Sequence, residues 1–281
     1  MAILLANSSG NFNTAATWDT VANTPSIHAS TNVSVTTAGV NSVTFTAPNT
    51  TNAVTGVAVY VGTYPAAGRD WTAELVESGV GTGSIATILQ TDMPTDQTSA
   101  STSWLYFRLA TPYTYTTTGA GAYRWNFKST TANSGSMGAD GTSTTLVCIA
   151  STDNRNSAPT TSDQCWILAH NATSPAITVT VDGTTADIRG SGTNRGIRQT
   201  AMGLMVGGSL TQSLAIIKFD TAASASLSVT GMTLVNSGGE LQMGTVASPY
   251  PAAYTATWTN RQGAGGTNTG VYWFNNARVI L

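Results

Sequence analysis

The sequence predicts an all-β protein, a β-sandwich followed by a smaller β-rich part. Three observations lead there. Segments in which apolar and polar residues alternate recur along most of the chain, at intervals that suit a sandwich or barrel. Lys and Glu are scarce, and Thr, Ser and Gly interrupt any 3.6-residue period before it reaches three turns, which leaves little from which to build helices. Seven Trp, nine Tyr and six Phe are spread over 281 residues. That is ample apolar bulk for a core and more than a disordered polar chain carries.

Taken in order, strands are expected at "NVSVTTA" (32–38), "SVTFTA" (42–47), "TGVAVYVG" (55–62), "DWTAELVE" (70–77), "SIATILQ" (84–90), "SWLYFRLA" (103–110), "AYRWNFKS" (122–129), "TTLVCIA" (144–150), "QCWILA" (164–169) and "AITVTVDG" (176–183). Alternation assigns their faces. Trp71, Ala73 and Leu75 share one side of their strand, as do Tyr123, Trp125 and Phe127 of theirs, and these aromatic sides are expected to form the core. Glu74, Arg108, Arg124 and Lys128 fall at polar-side positions, where cross-strand ion pairs contribute about 0.2–1 kcal/mol each. In "SWLYFRLA" both sides are bulky, Leu105, Phe107 and Leu109 against Trp104, Tyr106 and Arg108, so a second covered face is expected there.

A boundary near residue 172 separates the sandwich, 1–172, from the smaller part, 173–281. Within the latter, 183–212 has little periodicity and places Arg189, Arg195 and Arg198 among glycines. Its "GSGTNRG" matches neither the dinucleotide fingerprint nor a phosphate loop, and a mobile or assembly-ordered loop is expected. Strand patterns resume at "SLAIIKFDT" (213–221) and "SLSVTGMTLVNSGGELQMGTVASPYP" (226–251). In the second, Val229, Met232, Leu234, Leu241 and Met243 are expected inside and Gly238-Gly239 at a turn, with Glu240 as its lone acid. The terminal "GVYWFNNARVIL" (270–281) is apolar enough to be paired into a sheet.

Composition narrows the function classes. Only 9% of residues are charged, against roughly 25% in a typical soluble domain. Eleven basic residues against thirteen acidic ones leave no clustered positive field, so neither nucleic acid nor an anionic membrane is an expected partner. Cys148 and Cys165 are too few for a disulfide framework or a zinc site. They flank a loop between two apolar runs, which leaves a bridge geometrically open, although buried free thiols are the commoner state. The opening "MAILLANSSG" lacks a basic segment, and its apolar run is too short for a signal peptide or membrane span.

Catalytic constellations are missing from the pattern. His28 and His170 are the two histidines, neither beside a carboxylate, and no G-x-S-x-G, H-E-x-x-H or Cys–His signature occurs. Glycoside hydrolysis needs two carboxylates across a cleft, yet Asp140, Asp153 and Asp182 lie in turn contexts, and Glu74 and Glu77 face opposite sides of one strand. Asp92 and Asp96 are too sparse for a calcium loop. No catalytic, cofactor-binding or metal-binding residue is therefore expected. Trp18, Tyr64, Tyr113, Tyr115, Tyr250 and Tyr254 lie in loop-like contexts, where exposed aromatics serve either as sugar platforms or as interface anchors. With Trp104, Tyr106, Arg108, Arg124, Arg195 and Arg198, residues 113, 115, 250 and 254 make up the expected contact set.

Two stretches carry a resemblance. The run "WTAELVESG…IATILQTDMP…SWLYFRLATPYTYTTTGAGAYRWNFKS" (71–129) is similar to jelly-roll modules of carbohydrate-binding-like domains and virion proteins. The start "MAILLANSSGNFNTAATWDTV" and "SGGELQMGTVASPYPAAYTATW" (237–258) resemble β-rich proteins of tailed bacteriophages, the second also a coil of a glycine-rich β-solenoid. Solenoids repeat their coil, whereas the sequence shows one good coil and a weaker partner at 213–221, so a short solenoid or a second sheet is expected rather than a long β-helix. The resemblance implies a jelly-roll-type sandwich and a non-enzymatic structural protein of the virion, made in the host cytoplasm. A capsid-surface decoration or cement role comes first. A tail or fibre protein that recognises host glycans is the alternative. Expected partners are capsid or other virion proteins, further copies of the chain as dimer or trimer, and glycans.

Overall fold

The computed structural model describes residues 3–21, 31–42, 44–65, 67–93, 104–119, 121–131, 135–139, 146, 148–152, 158–159, 163–168, 177–181, 198–201, 203–207, 215–219, 226–229, 233–235, 239–242, 257–260, 271–273 and 278–280. The fold is all-β. Its strands are β1 (Ile3–Ala6), β2 (Gly10–Asn11), β3 (Trp18–Val21), β4 (Thr31–Ser34), β5 (Val40–Asn41), β6 (Ala53–Thr63), β7 (Trp71–Glu77), β8 (Val80–Ile88), β9 (Trp104–Thr114), β10 (Tyr123–Ser129), β11 (Ser136–Ala139) and β12 (Cys148–Thr152). They continue as β13 (Gln164–Ile167), β14 (Ile177–Val181), β15 (Arg198–Ala201), β16 (Gly203–Val206), β17 (Ala215–Phe219), β18 (Ser226–Val229), β19 (Thr233–Val235), β20 (Gly239–Gln242), β21 (Thr257–Asn260), β22 (Val271–Trp273) and β23 (Arg278–Ile280).

The middle of the chain forms a two-layer antiparallel sandwich. In one layer β10 lies between β5 and β7, and β7 pairs with β8. The register from Tyr123 opposite Glu77 to Ser129 opposite Trp71 is unbroken. It therefore sets Trp71, Ala73 and Leu75 beside Tyr123, Trp125 and Phe127, all six buried. The outward side carries Glu74 and Lys128, paired at 3.5 Å. Ser78 and Gly79, at φ of 50° and 86°, join Glu77 to Val80 as a two-residue turn with both residues left-handed, the geometry that matches strand twist. In the other layer β6 carries β9 along one flank and β12 and β11 along the other, with β3 beyond β12 and β4 beyond β11. Phe107 of β9 meets Phe127 of β10 edge-on across the layers, ring centres 5.6 Å apart.

The C-terminal part is a parallel solenoid with three faces. One face stacks β13, β16, β19 and β22, the second β14, β17, β20 and β23, and the third β15, β18 and β21, every pair parallel. The chain visits the faces in the same order on each circuit, which is what makes the stacked strands equivalent. Val179, Ile217 and Leu241 stand in register on successive coils and are buried inside. Coils begin at Gln164, Gly203, Thr233 and Val271, unequal intervals that leave no fixed period for the sequence to display.

Strands β1 and β2 belong to this solenoid as well. β1 pairs parallel to β13, and β2 pairs parallel to β14, so they extend two of the three faces. The sandwich is thus inserted between the first coil and the rest, and β13, before residue 172, already lies in the stack. On its other side β1 pairs antiparallel to β3, which makes one sheet run from solenoid to sandwich without a break in the order β22-β19-β16-β13-β1-β3-β12-β6. A single buried cluster follows it, from Leu204, Ile217 and Leu227 through Leu4, Ala6 and Phe12 to Trp71 and Trp125.

Two of the expected strands differ from what is found, and the two cysteines are in the commoner, free state. Among the described residues, the segment expected as a strand at 42–47 makes only isolated bridges, Ser42 to Leu146 and Phe45 to Tyr123, the latter continuing along β10 past β5. β8 starts four residues earlier than expected, because the tight turn pairs Val80 at once. Cys148 and Cys165 are free and buried on β12 and β13, two strands that β3 and β1 hold apart in the sheet. Burial pushes the Cys148 thiol up to about 12 and raises Cys165 as well, with Asp163 adding to the latter.

Gly56 stands at the bulge between β6 and β9. A Cβ there would lie 2.4 Å from the Phe107 carbonyl oxygen and 2.9 Å from the Tyr106 ring. Gly56→Ala is therefore expected to destabilise the fold by about 1–3 kcal/mol. Gly119→Ala, whose Cβ would meet nothing within 4 Å, is expected to stay within about 0.5 kcal/mol of wild type in the same urea titration.

Candidate functional site

The long sheet does not lie flat. β9 and β13 are five strand steps apart along β13-β1-β3-β12-β6-β9, about 24 Å if the sheet were planar. Yet the Trp104 and Trp166 rings are 4.8 Å apart. The sheet therefore rolls up, and the side turned away from the sandwich core becomes an inner face. Ile3, Leu5, Ala58, Trp104, Tyr106, Trp166, Leu168 and Met205 fill it as a second buried cluster, with Tyr60 against Trp104 at 5.6 Å. The expected second cover of β9 is thus supplied within the chain. Burial raises the Tyr60 phenol above its ordinary value.

Beyond the aromatic layer lies a polar group of residues. Asp19 of β3 is fully buried; its Oδ1 accepts the Asn7 Nδ2 at 2.6 Å and its Oδ2 accepts the Thr55 hydroxyl at 2.7 Å. Arg108, two places along β9 from Tyr106, donates to the Asn7 carbonyl. These bonds tie together the end of β1, β3, β6 and β9. A buried carboxylate needs such donors to remain ionised at tolerable cost. The arrangement closes the rolled sheet and engages both Asp19 oxygens with neighbouring donors.

A second polar group sits at the end of the sandwich, where Glu77 accepts hydroxyls from Tyr113, Thr116, Thr117 and Tyr123. Of the expected contact residues, Trp104, Tyr106 and Arg108 are brought together, but Trp104 and Tyr106 line the rolled inner face and not a surface. Tyr115 is buried edge-on against Tyr123, 5.0 Å between centres, and Trp18 and Tyr64 are buried as well. Loop-like composition placed them outside; packing into the sandwich end takes them in. Tyr113 is half-buried on Glu77. Arg124 lies on the outward side of β10, away from Arg108. Arg198 opens β15 opposite Ser226. Arg195, Tyr250, Tyr254, His28 and His170 lie outside the described residues.

Sequence reasoning missed Asn7, Asp19 and Thr55, and met Glu77 only as an acid facing away from Glu74. Their partners come from strands far apart in the chain, so no local spacing marks them. Among the described residues no three His, Cys, Asp or Glu side chains are grouped to hold a metal ion. No helix among them is long and apolar enough to cross a membrane. Comparison of the chain with protein-family models, with curated proteins and with solved structures finds no match in any of the three.

Thr55→Val removes one of the donors to buried Asp19 at nearly constant volume. We expect it to lower unfolding free energy by about 1–3 kcal/mol, with Thr55→Ser recovering most of the loss in the same chemical denaturation.

Proposed function

We propose that this chain is a non-enzymatic structural protein of a tailed-phage virion, and that it decorates and stabilises the capsid surface. The observation that carries the reading is the uninterrupted sheet from solenoid to sandwich, which makes the chain one stiff body whose buried polar groups serve its own framework. The resemblance of 71–129 and 237–258 to virion modules supports the same class. Binding would be passive, through broad polar surfaces of Thr and Asn that need neither cofactor nor turnover. A tail- or fibre-associated, glycan-recognising protein is the second reading. The solenoid favours it, since parallel coils stack along one axis and suit an extended part.

Quantitative mass spectrometry of purified particles tests the proposal. Hundreds of copies per particle are expected for a head-surface protein, and a handful would move it to the tail. Tight glycan binding by the free protein, with no copies on intact particles, would overturn the structural reading.

A further inference from the structure

At one end of the sandwich a single carboxylate joins three parts of the chain. Glu77 closes β7, facing Tyr123 across the β10 ladder and Val80 across the turn to β8. Its Oε2 accepts the Tyr113 hydroxyl at 2.7 Å. Its Oε1 accepts the Tyr123 hydroxyl at 2.7 Å, the Thr117 hydroxyl at 3.3 Å and the Thr116 hydroxyl. The Tyr123 oxygen in turn accepts the backbone N–H groups of Thr116 and Thr117, at 2.9 and 3.1 Å. Between these residues Tyr115 is driven into the core against the Tyr123 ring. Thr116 and Thr117 are themselves exposed, so burial contributes little to holding them.

The geometry is one-directional. An ionised carboxylate only accepts, and here four hydroxyls point at it. A protonated Glu77 would carry an O–H of its own, lose one acceptor position and lose the charge that strengthens the rest. We propose that Glu77 is an acid-sensitive clamp, which when ionised holds Thr116 and Thr117, the residues just beyond the β9–β6 ladder and the Tyr115 N–H bond to the Asn52 carbonyl, onto β10 and the β7–β8 turn, and when protonated releases them and loosens the cover of Tyr115 at the end of the core.

The charge environment agrees in sign. The Thr116 hydroxyl first, then those of Tyr113 and Tyr123, hold the Glu77 carboxyl below its ordinary range and outweigh the opposing effect of burial. The clamp's contribution to stability is therefore present above the ordinary carboxylate pKa and is lost as pH falls through the lowered value. Tyr113 is pushed up to about 12, chiefly by its bond to Glu77, so it stays a donor through the neutral range. Around Glu77 the titratable groups are Tyr113 from β9, Tyr115 from the segment after it and Tyr123 from β10. Arg124 and Glu74 stand on the outward side of their strands, Glu74 with Lys128, and Val80 brings no charge. Among the described residues, the groups that move the Glu77 pKa through a partner are all hydroxyls.

Hydrogen exchange on the whole chain, corrected for intrinsic rates and read separately for the Thr116 and Thr117 amides and over 123–129, tests the clamp. Between pH 7 and pH 3, the wild type is expected to lose at least tenfold protection at Thr116 and Thr117 while 123–129 stays protected. Glu77→Gln is expected to be loosened at Thr116 and Thr117 at both pH values, without the pH step. Tyr113→Phe, which removes one donor and keeps the fold, is expected to move the midpoint of that step upward toward the ordinary carboxylate range. Equal protection of the wild type at both pH values would overturn the proposal. So would a pH step that persists in Glu77→Gln, or one in which 123–129 opens together with Thr116 and Thr117.

Discussion

The rest of the structure depends on the position of four residues. Ile3, Leu4, Leu5 and Ala6 form a strand with a parallel partner on one side and an antiparallel partner on the other, and all four are buried. Because both faces are covered, alternation on this strand separates two apolar sets rather than an apolar and a polar one. Leu4 and Ala6 join the cluster that fills both the solenoid and the sandwich. Ile3 and Leu5 join the aromatic face enclosed by the rolled sheet. A one-residue slip of β1 would exchange these sets and unseat both.

The polar contacts around β1 follow from that position. Asn7 leaves the strand where the sheet bends toward β9, and its amide and carbonyl reach Asp19 and Arg108. Thr55 approaches Asp19 from β6 beside the bulge at Val54 and Gly56, the place where β6 and β9 shift register. Gly56 lets the β9 backbone pass close enough for this to happen. Bulge, glycine and buried carboxylate are thus parts of one closure, in which a bulge bends the sheet and the hydrogen bonds fix the bend.

Much of this was legible in the sequence, and the limits have physical causes. The aromatic alternation of 71–77 and 123–129 gave the core faces of β7 and β10, since each strand has one wet side. Strand β9, bulky on both sides, announced a second cover but not its source, because nothing in "SWLYFRLA" encodes a partner 60 residues later. Parallel pairing was the least visible feature. Alternation states which side chains share a face, not which strand lies alongside, and the loops between coils vary in length. That is why Ile3–Ala6 read as a short apolar start and not as part of the first coil. Trp104, Tyr106 and Tyr115 looked available for contact because composition cannot register that a sheet curls. Glu77 was weighed only against Glu74, which faces the other side of the strand, for a similar reason, its donors being held 36 to 46 residues away.

A shared sheet and a shared buried cluster mean that the solenoid and the sandwich hold each other in place. The most direct test is native-state hydrogen exchange in rising denaturant, with opening free energies read for β6 and β7 on one side of β1 and for β13 and β14 on the other. The account predicts that both groups converge on the same global value and that the amides of β1 converge with them. Exchange of β13 and β14 through a separate, much cheaper opening, with β6 and β7 still protected, would contradict it.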